Sequence, residues 1–346
     1  MIKVNKRLNL IKPYKPSERD FDEAFTKLDW NECTIQYGNE LKKIVFDSLK
    51  EINFNEYPNI NNVELIYKLS TYCGVEYKNI QIFNGSDSAL QYIFSTFLNL
   101  DSSVLIFYPN YTQIETQINL YCDNIIYSKI LDPFNNHIYN FKDIEYADVI
   151  YLSNPNNPTG FCLDSILIEE LLKLYPNKLF IIDEAYYEFS SKSCVSLVQK
   201  YDNIIVTRTF SKALSLASIR LGYICANENL IGYINKIRNI KDVNSFAQKL
   251  GCIILDNYHL IQERIDLILN NRNLFQEELK KYNIKFVNSE ANFVLIYLND
   301  FNNKINELRQ EKILVRDRSM FDGLENCVRI TIGELDVMKK IIEIIR

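Results

Sequence analysis

The sequence predicts an α/β fold: a mostly parallel seven-stranded sheet covered by helices, preceded by an N-terminal arm and followed by a smaller α+β domain. Three observations carry this. Short apolar runs alternate with helix-period segments from residue 79 to residue 225. Runs such as Val104–Phe107 and Leu179–Ile182 are apolar throughout, as strands buried on both faces are. From residue 228 the pattern turns to long helical stretches and then two more strands, which reads as a separate α+β unit.

Taken in order, residues 1–40 read as an irregular arm, since Pro13 and Pro16 limit helix. Helices are expected at 40–52 and 62–73. Strands follow at 79–83 (NIQIF), 103–107 (SVLIF), 124–130 (NIIYSKI), 148–152 (DVIYL), 178–182 (KLFII), 203–207 (NIIVT) and 220–225 (RLGYIC). Helices at 86–98, 111–121 and 165–174 interleave with them. This assigns 41–240 to a large domain and 241–346 to a small one, with a long helix near the boundary. The small domain holds strands in NFVLIYL and CVRITIG and helices at 301–310 and 335–345.

The bulk numbers exclude several classes. The 346 residues are 47% hydrophobic and 24% charged, the balance of a globular protein with a large core. A net charge of −5 argues against a nucleic-acid partner. No apolar run approaches the ~18 residues of a membrane span, and the charged start of the chain lacks the apolar centre of a signal peptide. The expected location is the cytoplasm. Eight cysteines without a CxxC pair read as buried free thiols, with no metal site. The two histidines, His137 and His259, lie in no motif, so a Ser-His-Asp mechanism is set aside.

Ligands of open α/β sheets gather beyond the carboxyl ends of the strands. After the first strand, NGSDSAL (84–90) offers a glycine turn and then Ser86 and Asp87 at a helix start, where free N–H groups and the dipole favour an anion. After the second, YPNYTQ places Tyr111 where a ring can stack on a planar ligand. SNPNNPTG (153–160) makes a rigid polar turn carrying Asn157, with cis-capable Asn-Pro bonds. DEAYYEF ends a buried strand in Asp183, a carboxylate that needs a partner there, with Tyr186 three residues on. TFSKALSLASIRLGY then supplies Thr209, Ser211, Lys212 and Arg220. A planar, phosphorylated aldehyde uses all of these, and that is pyridoxal 5′-phosphate. Lys212 bonds the aldehyde, Asp183 keeps the pyridine nitrogen protonated, and Arg220 with the helix start binds the phosphate.

The segments NPNNPTG, DEAYYEF, TFSKALSLASIRLGY and CVRITIG together resemble the fold-type I aminotransferases, with most likeness to histidinol-phosphate aminotransferases. LDWNE (28–32), YP (57–58), VNSFAQ (243–248) and EANFVLI (290–296) extend the likeness over nearly the whole chain. The resemblance implies that Asn157 and Tyr186 hold the ring hydroxyl and that Tyr111 stacks on the ring. Ser86, Asp87, Thr209 and Ser211 join Arg220 at the phosphate. It implies a homodimer with shared sites, in which Tyr57 reaches the neighbouring subunit's phosphate. Asn31 and Glu32 lie near the entrance, and Arg329 clamps the substrate anion. Arg316 and Tyr14 are implied for phosphorylated substrates, whereas Arg318 reads as a surface charge.

The expected reaction moves an amino group between a small phosphorylated amine or ketone and glutamate or 2-oxoglutarate. NECTIQYG lacks the Asn-Pro and glycine common after the Asn-Glu pair, and IKDVNSFAQ lacks the aromatic residue common before Val-Asn. Both segments border the pocket, so the phosphorylated substrate is left as a class. Decarboxylation of an amino-acid O-phosphate on the same scaffold is the alternative.

Overall fold

A computed structural model describes residues 3, 4, 7, 8, 11, 25–130, 134 and 139–346. In chain order the elements are β1 (Thr26–Lys27), α1 (Asn39–Leu49), α2 (Val63–Cys73), β2 (Ile80–Phe83), α3 (Ser86–Phe97), β3 (Ser103–Tyr108), α4 (Thr112–Ile118), β4 (Asn124–Lys129), β5 (Val149–Ser153), α5 (Ser165–Leu174) and β6 (Leu179–Asp183). There follow β7 (Ile204–Thr209), β8 (Gly222–Ala226), α6 (Glu228–Asn235), α7 (Ser245–Asp256), α8 (Tyr258–Lys281), β9 (Phe293–Tyr297), α9 (Phe301–Gln310), β10 (Ile313–Leu314), β11 (Arg316–Asp317), β12 (Cys327–Thr331) and α10 (Leu335–Ile345).

All seven expected strands join one sheet, in the order β2-β8-β7-β6-β5-β3-β4. Pairing is parallel from β7 through β4, while β8 runs antiparallel to both β7 and β2. The central strands are buried along their length because helices cover both faces. Two apolar clusters result, one on each side: Ile150, Leu152, Ile182 and Val206 belong to one, and Val149, Tyr151, Ile181 and Ile205 to the other. That division is the period of two along each strand.

The C-terminal part differs from the expectation in two ways. Its sheet has three strands, β11-β12-β9, not two. The arm is not wholly irregular, since β1 pairs in parallel with β10. Leu28 N donates to the Leu314 carbonyl and Thr331 N to the Leu28 carbonyl, so this stretch of the arm is tied to the small domain by backbone bonds. The described cysteines are free; Cys33 alone among them is not buried. No helix of the described residues is long and apolar enough to cross a membrane.

Candidate active site

At the carboxyl ends of β5, β6 and β7, under the arm, lies a cavity of about 710 Å³. Strand alternation decides what enters it. Asp183 and Thr207 are register partners on β6 and β7. Their side chains meet, Thr207 Oγ1 donating to Asp183 Oδ1 at 3.0 Å. Tyr151 on β5 donates to Asp183 Oδ2 at 2.6 Å. Burial pushes the Asp183 carboxyl up, and the Tyr151 and Thr207 hydroxyls pull it down. No cation pairs with it among the described residues, so a bound cation there would relieve the cost of its charge.

Lys212 lies on the loop after β7, and its Nζ donates to the Trp30 carbonyl at 2.9 Å. The same Nζ lies 5.6 Å from the Tyr186 ring centroid. The Tyr186 hydroxyl accepts from Asn157 Nδ2 at 3.3 Å and Asn31 Nδ2 at 3.0 Å. Asn157 Oδ1 in turn accepts from Arg329 Nη1 at 2.6 Å. Asn154-Pro155 is cis, as is Tyr108-Pro109.

The other end of the cavity is an anion cradle. Helix α3 begins at Ser86 with no side-chain cap, leaving its first N–H groups to face the cavity end. Arg220, held at φ 57°, places Nη1 3.2 Å from Ser211 Oγ and Nη2 3.3 Å from Asp87 Oδ2. Glycines make the approach possible: a Cβ on Gly222 would lie 2.4 Å from Ser86 N and 2.6 Å from the Gly85 carbonyl carbon. Thr209, the register partner of Gly222, also lines this end, and Tyr111 flanks it.

Toward the small domain, three guanidinium groups line the cavity: Arg316, Arg318 and Arg329. Arg316 and Arg329 are cross-strand partners on β11 and β12. Arg318 is a correction to the surface reading. It is 8% exposed, because it follows Arg316 by two residues and so shares its inward face. Asn31 is also deeper than an entrance residue, fully buried between Tyr186 and Thr331. Asp29, Trp30 and Glu32 line the cavity as well, and of these the sequence reading placed only Glu32 near it. Tyr57 is 77% exposed and outside the cavity of its own chain. Tyr14 and His137 lie outside the described residues.

The sequence profile of the family described as Aminotransferase class I and II matches residues 25–345. The chain belongs to that family. It is a pyridoxal 5′-phosphate-dependent aminotransferase. A histidinol-phosphate aminotransferase of Clostridium novyi is 34% identical over 97% of this chain and 95% of that protein. A dihydroxyacetone phosphate transaminase of Campylobacter jejuni is 34% identical over 99% of this chain and 96% of that protein. The crystal structure of the histidinol-phosphate aminotransferase from Clostridium acetobutylicum superposes with a TM-score of 0.83 at 25% identity, covering 92% of this chain and 97% of that one.

The residues of this aminotransferase fit the cofactor. Asp183 is a buried carboxylate whose partners are neutral hydroxyls, which suits a pyridinium. The uncapped α3 start and Arg220 suit a phosphate. Lys212 lines the same cavity, with its Nζ 5.6 Å from the Tyr186 ring centroid.

Proposed function

We propose that this aminotransferase moves an amino group between glutamate or 2-oxoglutarate and a small phosphorylated amine or ketone. The observation that carries this is the distribution of charge along one cavity. The buried Asp183 carboxylate lies at the strand ends, Arg220 and the α3 start form a phosphate cradle, and Arg316, Arg318 and Arg329 line the cavity toward the small domain. The cradle is matched to the cofactor, and Arg316, Arg318 and Arg329 line the same cavity within reach of a substrate anion. Histidinol phosphate and dihydroxyacetone phosphate, which the names of two relatives specify, both carry a phosphate dianion that such a group can bind bidentately.

When bound, the cofactor supplies an aldehyde and an electron-accepting ring. The chain's residues do the rest. Asp183 would hold positive charge at the ring nitrogen. Asn157 and Tyr186 would donate toward the ring hydroxyl, and Tyr111 would stack on the ring. The Ser86 and Asp87 N–H groups, with Thr209, Ser211 and Arg220, would bind the phosphate. Lys212 Nζ, released from the Trp30 carbonyl, takes and returns the proton on the substrate's nitrogen-bearing carbon. Arg329, Arg316 and Arg318 bind the substrate anion and fix its orientation, with Asn31 bracing Tyr186 from the arm.

The working unit is a homodimer with shared sites in the cytoplasm. Exposed Phe46, Phe54, Tyr57, Val63 and Tyr67 on and around α1 and α2 support an apolar face for the second copy. Tyr57 is then available to the neighbouring cavity. Residues 41–240 act as the large domain and 241–346 as the small one. The test is a half-reaction panel on the loaded enzyme, following the cofactor's absorbance. Glutamate and at least one of histidinol phosphate or an amino-alcohol phosphate should convert it to the amine form. Conversion by unphosphorylated analogues with equal kcat/KM would refute the substrate class. Release of CO₂ from phosphoserine or phosphothreonine without a keto acceptor would establish the decarboxylase instead.

A further inference from the structure

Outside the cavity, the guanidinium of Arg264 is buried with neutral hydrogen-bond partners. Arg264 lies on α8, on the same buried stripe as Ile261, Ile265 and Ile268, and is 8% exposed. Its Nε and Nη1 have no hydrogen-bond partner among the described residues. Its Nη2 lies 2.9 Å from Ser215 Oγ and 3.1 Å from Cys33 Sγ, and also reaches the Ile35 carbonyl. The guanidinium carbon is 4.5 Å from the Tyr37 ring centroid. A buried cation without an anion is a costly way to fill space. An apolar side chain would fill the stripe at lower cost, so the charge answers to what it joins.

What it joins is the two chain segments that hold Lys212. Cys33, Ile35 and Tyr37 belong to the arm, three to seven residues beyond Trp30, whose carbonyl accepts from Lys212 Nζ. Ser215 belongs to the lysine's own loop; its N–H donates to the Lys212 carbonyl, and its φ is 58°, a left-handed conformation that serine rarely takes unaided. The Tyr37 hydroxyl adds a second tie, donating to the Leu214 carbonyl at 2.7 Å. A helix of the small domain thus grips the arm and the lysine loop at one point.

We propose that Arg264 is a positioning residue for Lys212: it clamps the 213–216 loop to the 33–37 stretch of the arm and so fixes where the amine sits. The inference rests on Lys212 as the reactive amine. Its test uses the full-length loaded enzyme with Arg264→Met and Arg264→Lys. For Arg264→Met, kcat per bound cofactor should fall about tenfold, with substrate KM within twofold. Amide exchange at 33–37 and 213–216 should speed at least tenfold while β6 and β7 keep their protection. Trp30 is the chain's single tryptophan, so its emission should shift as the arm loosens. Arg264→Lys, which keeps the charge but only one donor nitrogen, should fall between. Should Arg264→Met not fold, the double variant Tyr37→Phe/Ser215→Ala removes two of the ties and leaves the guanidinium. It should lower kcat at least threefold and speed exchange at 213–216. The proposal is overturned if the folded variant keeps kcat within twofold, whatever the exchange shows, or if the double variant leaves both readouts unchanged. Failure of the functional reading itself would show separately, as turnover retained by Lys212→Ala.

Discussion

Asp183→Asn should act with opposite sign in the cofactor-free and loaded protein. Without the cofactor, the carboxylate is buried against two hydroxyls, and burial raises it above its unfolded value. A carboxyl raised by folding costs stability once it ionises. That cost is absent below the unfolded value of ~3.9 and grows as pH rises through the folded one. Removing the charge should therefore stabilise the cofactor-free protein at pH 7, and the gain should vanish near pH 4. With the cofactor bound as proposed, the same carboxylate would face a ring cation. Taking away one member of a buried pair costs about 3–5 kcal/mol, which is roughly 10²- to 10³-fold or more in cofactor affinity or kcat/KM. Thermal unfolding with and without cofactor, a cofactor titration and steady-state kinetics read all of these. A lower Tm for the cofactor-free variant at pH 7, or an affinity and kcat/KM both within threefold, would refute the reasoning.

Four further outcomes follow. Lys212→Ala should retain cofactor binding through Asp183 and the phosphate cradle but lose about 10³-fold or more in turnover, checked by single-turnover absorbance. Gly222→Ala puts a methyl against backbone at 2.4 Å; strand β8 must move off the α3 start, costing ~1–3 kcal/mol and weakening phosphate binding, checked by Tm and cofactor titration. Arg329→Lys should lower kcat/KM for anionic substrates about 10- to 100-fold, because a lysine loses the bidentate contact and the tie to Asn157. Glu188→Gln should flatten the pH dependence of stability. Burial pushes the Glu188 carboxyl up to about 8 from 4.5, with Arg208 opposing the rise. The wild type thus loses stability as pH climbs from 4.5 to 8, on the order of 5 kcal/mol in all, and urea unfolding should show the variant's advantage opening across that window.

The large sheet was legible because its strands are long apolar runs, and the cavity was legible because its residues follow those runs. Asn157, Asp183, Thr209 and Lys212 all lie in the loops or last positions after a strand. What escaped has short or mixed signals. The pairing of β1 with β10 involves two residues on each side and joins chain segments far apart in sequence, so neither stretch carries a period. Arg318 stands among Asp317, Ser319 and Asp322, which read as solvent; the usable signal was its two-residue spacing from Arg316. Arg264 sits in the helical row of Ile261, Ile265 and Ile268, so its position marks burial while its type marks solvent. In such conflicts the stripe is the better guide, because packing overrides the preference of one side chain.

The reverse face of the strand ends explains why the site forms at all. Asp183 and Thr209 line the cavity and Thr207 shares their side of the sheet, so Glu184 and Arg208, the next residues along, point away from it. They meet there, both fully buried, with Arg208 Nε and Nη2 at 3.0 and 2.8 Å from Glu184 Oε2. Ser193 Oγ accepts from Arg208, and the Tyr187 ring stacks 3.4 Å from the guanidinium carbon. A slip of one residue between β6 and β7 would separate this pair and leave two buried charges unanswered. It would also part Thr207 from Asp183. A buried ion pair is weak evidence of stability, yet here it penalises register slips that an apolar core of Ile, Val and Phe would by itself tolerate. The Asp183 carboxylate is thus held in place by charges that never touch it.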